Sequence, residues 1–168
     1  ALHKDFKESG RMIFNGILHR QNSFWSEKKQ AARQTALIFS RLLDQPVSLP
    51  QNGPILLQPT RYQFGAGEAA LGIFAPNLTD LPPQAMTIAA AQPQLNYYLA
   101  SLRPSVSSTY FISRDNWLAI SPPLRAMEIA EDYDCSRDAA YVIGAPEANP
   151  RKEVAFSGLR YDGILEQW

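Results

Sequence analysis

Tyr110, Trp117, Tyr133, Tyr141, Phe156 and Tyr161 alternate along the later part of the chain with Arg137, Arg151, Arg160 and Asp162. Aromatic rings can wall a concave pocket, and an Arg/Asp pair can fix the two charges of a zwitterion. The candidate ligand-binding set is Tyr110, Trp117, Arg137, Tyr141, Tyr161 and Asp162. The competing reading makes most of the rings core and leaves the charges in water.

Catalytic sets are harder to assemble. His3 and His19 are sixteen residues apart on one helical stretch, too far along its axis to share a metal or act as a pair. Cys135 is the one cysteine, which excludes an internal disulfide and a thiolate zinc cluster, and it has no histidine nearby to activate it. Glu128, Glu131, Asp132 and Asp134 are acidic neighbours, but Cys135 and Ser136 interrupt the regular oxygen spacing of a calcium loop. A solvated helix end is expected there. Gly65-Ala-Gly67-Glu-Ala-Ala70 fits the glycine spacing of a dinucleotide-binding turn, yet the stretch before it (PTRYQF) is too polar for a buried parallel strand. It is expected to be a loop. The chain is therefore not expected to be an enzyme or to need a cofactor or a metal.

The elements that must position the aromatic set begin with one strong period. Phe6, Ile13, Ile17, Phe24, Ala31, Ile38 and Leu42 are spaced 7, 4, 7, 7, 7 and 4 residues apart. This seam predicts a helix over Leu2–Leu43, stopped by Pro46 and suited to helix–helix contact. Such a helix would be roughly 60 Å long. Gly10 and Gly16 mark places where it is expected to fray or bend. Between Val47 and Pro83 the chain reads as irregular, with short strands around Ile55–Leu57 and Arg61–Phe64. Helices follow over Gln84–Ala91 and, with Pro93 in its first turn, Gln94–Leu102. The runs Thr109–Ser113 and Trp117–Ser121 predict a hairpin turned by Arg114-Asp115-Asn116. Pro122-Pro123 opens a helix expected over Leu124–Asp132, and a helical turn is expected near Ala139–Ile143. Val154–Phe156 and Ile164-Leu165 read as strands, with Asp162-Gly163 a turn between them.

With 168 residues, 45% of them apolar, the chain can bury one sizeable core. Its 16 cationic and 16 anionic side chains balance, which argues against a general nucleic-acid binder. Thirteen prolines favour a loop-rich α+β domain over a helical bundle. No apolar run reaches the length of about 18 residues that spans a bilayer, and the start lacks the pattern of a signal peptide. A segment cut from a longer protein is expected.

The long helix, the helix pair and the run from Tyr110 to Pro123 (YFISRDNWLAISPP) resemble the Cache-type (PDC-like) periplasmic sensor domains of bacterial receptors. Ala145–Arg151 (APEANPR), Phe156-Ser157 and Tyr161-Asp162 resemble the family's later segment. The resemblance implies an α+β, Cache/PAS-like fold with a long N-terminal helix packed on a curved antiparallel sheet. Residues 1–46 would form a long stalk or core helix and 47–168 the sensor domain, together one structural unit. It implies an extracytoplasmic sensor of a histidine kinase, diguanylate cyclase or chemoreceptor, tethered to the inner membrane. Such a domain binds a small polar ligand, an amino acid or carboxylate, and signals through its long helix. Arg137, Tyr141 and Asp162 are the nearest matches to the residues of amino-acid-binding members. Ala139 and Ala140 stand where those members carry tryptophan before the Tyr, and Tyr161 is adjacent to Asp162 instead of two positions before it. The expected partners are the small ligand and a second copy bound through the N-terminal helix, with no nucleic acid. The alternative is an interaction or dimerisation module with no small ligand.

Overall fold

The computed structural model describes residues 2–46, 50, 53–67, 70–78, 80–102 and 106–156, and the side chains of these except 2–16 and 96. The predicted strand at Ile164-Leu165 and turn at Asp162-Gly163 lie outside the described residues. The chain divides into two compact units, Ala1–Leu37 and Ile38–Trp168. The division falls inside one helix, α1 (Leu2–Leu43), which is helical at both Gly10 and Gly16. Its middle, Glu27–Gln34, is built of Glu, Lys, Gln, Ala and Arg, all good helix formers. It ends before Pro46, with the Asp44 N–H donating to Ser40 O and Arg41 in the last turn, where a cation suits the carbonyl end.

The first unit is the helix up to Leu37. Among its described side chains, Ile17, Leu18, Phe24, Trp25 and Leu37 are exposed, each keeping 41–53% of its surface. Phe24 meets Trp25 edge to face at 5.3 Å, and the Lys28 ammonium sits over its ring.

In the second unit the chain builds an open five-stranded antiparallel sheet. β1 (Ile55–Gln58) and β2 (Arg61–Phe64) form a hairpin around Pro59-Thr60, and β1 carries a register shift between Leu56 and Gln58. Thr60 takes a left-handed φ of 68° while its carbonyl accepts from the Ala75 N–H. For a β-branched residue that conformation costs about 1–2 kcal/mol. β3 (Leu71–Phe74) runs antiparallel to β2, after a turn in which Gly65 and Gly67 have φ near 79° and 76°. The chain then leaves the sheet for α2 (Pro83–Ala90) and α3 (Gln92–Leu102). Pro83 and Pro93 sit in their first turns, where no intrahelical N–H is lost. The chain returns through the hairpin β4 (Thr109–Ile112) and β5 (Leu118–Ser121). Because β5 pairs with β3, the strand order is β1-β2-β3-β5-β4.

Alternation of side chains across the strands gives the sheet two covered faces. On the first, Phe64, Leu71, Ile73, Trp117 and Ala119 form one core with Phe39 and Leu42 of α1 and with Ile88, Leu95 and Leu99 of α2 and α3. Burying Phe39 and Leu42 contributes about 1.5–3 kcal/mol each and ties the last turns of α1 to the sheet. On the second, Phe74, Leu118 and Ile120 pack with Ala126, Ile129 and Cys135. The covering chain there is α4 (Leu124–Glu128), Ile129, Tyr133 and a 3-10 turn at Cys135–Arg137, and α5 (Ala139–Gly144) packs on that turn.

The fold is α+β, with the helix and antiparallel sheet that the sequence predicts, but three local expectations need correction. β3 lies in the stretch read as irregular. Its residues are buried on both faces, so no alternation marks it as a strand. α4 stops at Glu128, short of the expected Asp132, because Ile129 turns to an extended ψ of 131° and buries itself on the second face. Val154–Phe156 is not a strand. The glycine stretch is followed by strand β3 and not by a helix, so it has none of the geometry of a nucleotide-binding turn.

α4 and its N-cap Pro123 approach the sheet closely at Gly72. A Cβ there would stand 2.9 Å from both Cα and O of Pro123 and 3.1 Å from the Ala126 Cβ. Gly72→Ala is expected to lower stability by about 1–3 kcal/mol in urea unfolding, since backbone and not a flexible side chain must yield. An unchanged midpoint contradicts this packing.

Candidate functional site

Arg61 begins β2 on the second face and is 2% exposed. Its Nε donates to Ala126 O at 3.0 Å, its Nη2 to Ile129 O at 2.5 Å and its Nη1 to Pro59 O at 3.2 Å. The guanidinium lies 5.0 Å from the ring of Phe74, its direct partner across the β2–β3 pair. It thus caps carbonyls at the end of α4 that the helix itself leaves open. Asn116 makes the second tie. It takes the left-handed position (φ 58°) of the three-residue β4–β5 loop, which the Ser113 N–H closes on Trp117 O. Its Oδ1 accepts from the Cys135 N–H at 2.8 Å.

Between these ties and α5 stands a polar cluster. The Tyr133 hydroxyl donates to Asp138 Oδ2, and Asp138 Oδ1 accepts from the Ala140 N–H at 2.7 Å, capping α5. Asp134 Oδ1 accepts from the backbone N–H and the hydroxyl of Ser136. The Tyr110 phenol is near enough to Tyr133 to act on it electrostatically. Burial, then the hydrogen bond to Asp138 and its charge, hold the Tyr133 phenol above its ordinary range. Burial also pushes the Cys135 thiol up to about 12, with the Asp134 and Asp138 charges adding to it, so the thiolate a nucleophile needs does not form near neutrality. The Ser136 hydroxyl and N–H, followed by the Arg137 charge, hold the Asp134 carboxyl below its ordinary range.

The four sequence-derived site residues that the structure describes do not form one set. Tyr110 lies on β4, facing the second side and 43% exposed. Tyr141 is half-buried on α5. Arg137 is bound to Asp134 at 3.2 Å, but its side chain is 87% exposed. Trp117 belongs to the opposite face: it is fully buried beside Phe111, which in turn stacks on Phe39. Trp117 is a core residue, and its Nε1 has no partner among the described residues. Tyr161 and Asp162 lie outside the described residues.

Of the acidic neighbours, Glu128 pairs with Arg125 at 2.8 Å, and Glu131 and Asp132 are exposed. Among the described residues no group of three or more His, Cys, Asp or Glu is placed to hold a metal, and no helix is long and apolar enough to cross a membrane. Arg61, Asn116 and Asp138 were not singled out in the sequence. Asn in a three-residue hairpin loop and Asp ahead of a short helix carry local signals, whereas the acceptors of Arg61 are 65 and 68 residues away. No family model, curated protein or solved structure matches the chain.

Cys135 and Tyr133 both hold their protons more tightly folded than unfolded. Their contribution to stability is therefore fully present below the unfolded values, 9.0 and 10.0, and is lost as pH rises through the folded ones. Urea midpoints are expected to fall from pH 9 upward. Cys135→Ala flattens the decline that begins there, and Tyr133→Phe the part that begins at pH 10. A decline unchanged by both substitutions contradicts the burial of these groups.

Proposed function

We propose that the chain is the extracytoplasmic sensor domain of a bacterial signal-transduction receptor, which binds a small polar ligand and signals through α1. The observation that supports this most is the continuity of the first-face core with the helix. Phe39 stacks on Phe111 at 5.6 Å, and Phe111 meets Trp117 at 5.4 Å. Tyr110 neighbours Phe111 on the same strand but faces the other side. A ligand held on the second face by Tyr110, Arg137 and Tyr141 would bear on the strand whose first-face ring packs on the end of α1. Signalling is then a population shift: the ligand favours one placement of the hairpin, and that placement selects a position of the helix. Tyr161 and Asp162 join the ligand set by sequence resemblance alone. In the receptor the domain is membrane-tethered, periplasmic and paired with a second copy through α1, and it performs no catalysis itself.

The second reading is an interaction or dimerisation module with no small ligand. It is favoured by the exposed Ile17, Leu18, Phe24, Trp25 and Leu37 of α1. Thermal unfolding against a panel of amino acids, carboxylates and amines separates the two. The sensor reading predicts a compound that raises the Tm by several degrees, a shift lost in Tyr110→Ala and Arg137→Ala but kept in Tyr97→Ala, which alters an 88% exposed ring on α3. No shift with any compound, together with a stable dimer by sedimentation, favours the second reading.

A further inference from the structure

Ile129, Tyr133 and Cys135 of the stretch Ile129–Gly144 pack on the second face beside α4, while the stretch buries little of itself. Of its side chains only Ile129 and Cys135 are buried, whereas every residue of β3 and β5 is. Among the described residues two hydrogen bonds tie it to the sheet and its hairpin loop, Arg61 Nη2 to Ile129 O and the Cys135 N–H to Asn116 Oδ1. Its other bonds close on themselves. Asp134 holds Ser136 and Arg137, and Asp138 holds Tyr133 and the Ala140 N–H. The Asp138 N–H donates to Cys135 O and the Val142 N–H to Asp138 O. A segment with few buried contacts, few long-range bonds and its own internal network opens at lower free energy than the core it covers, and opens as one body.

We infer that Ile129–Gly144 is a flap that lifts from the second face of the sheet, hinged at Ile129 where Arg61 holds the chain and fastened where Asn116 holds Cys135. Lifting it exposes the part of the Phe74, Leu118 and Ile120 surface that Tyr133 and Cys135 cover, with α4 and Ala126 staying in place, and frees the Cys135 side chain. Closed, the flap leaves Cys135 fully buried, so the thiol reports opening directly. The device goes beyond the sensor reading and stands whether or not a small molecule binds, because it rests only on how this segment is attached.

The test is thiol labelling of the whole chain with an aromatic disulfide reagent in native buffer, since Cys135 is the one cysteine. The labelling rate is compared with the global unfolding rate measured separately. The flap predicts labelling well above the unfolding rate and only weakly dependent on urea, because little surface is exposed in opening. Asn116→Gly keeps the left-handed turn but removes the carboxamide, and is expected to speed labelling roughly tenfold, the loss of about one hydrogen bond. Tyr97→Ala, on α3, is expected to leave the rate unchanged. Labelling at the unfolding rate with the full urea dependence of unfolding, or no acceleration in Asn116→Gly, overturns the flap. Should Asn116→Gly fail to fold, the urea dependence in the parent chain decides alone.

Discussion

Arg61 brings a cation to a place that water does not reach, and it is held there by main-chain carbonyls and the face of an aromatic ring. An isolated buried charge costs several kcal/mol, so the arrangement stands only while its hydrogen-bond acceptors stay in place. Two of them, Ala126 O and Ile129 O, come from the chain that crosses the second face. The sheet therefore determines where that chain lies: α4 must end over β2 and Ile129 must turn down beside it. Gly72 is the steric counterpart, for only a residue without a side chain lets Pro123 and Ala126 come so near β3.

The consequence is a sheet with two unequal covers. One is thick, made of the end of α1, of α2 and of α3, and rich in large apolar side chains. The other is a thin strip of chain held by a few polar ties and three buried anchors, Ala126, Ile129 and Cys135. β3 and β5 face both covers at once, with Leu71, Ile73 and Ala119 on one side and Phe74, Leu118 and Ile120 on the other. A change under the thin cover has a short mechanical route to the end of α1, through Phe111 and Phe39.

Much of this fold was legible in the sequence because local signals and tertiary needs agree. The α1 seam, the prolines that open α3 and α4, and the polar loop between β4 and β5 all point the same way in both. Legibility failed where burial overrides local pattern. β3 has no alternation because both its faces are covered. α4 ends early because Ile129 is worth more buried on the sheet than as a further helical residue. The candidate site was legible only in part: Tyr110 and Arg137 lie on the second-face side, but Trp117 reads equally well as pocket wall or core, and only its pairing with Phe111 and Phe39 decides. The ties of Arg61 and Asn116 join residues 19 to 68 positions apart, beyond any local rule.

The central claim is that Arg61 holds the second cover in place. Hydrogen exchange read by mass spectrometry on Arg61→Met tests it, because methionine keeps much of the apolar volume and removes the donors. The account predicts that amides in residues 122–138 exchange at least several-fold faster while those of α2 and α3 keep their protection. Unchanged exchange in residues 122–138, or an equal loss across the whole of the second unit, would contradict it.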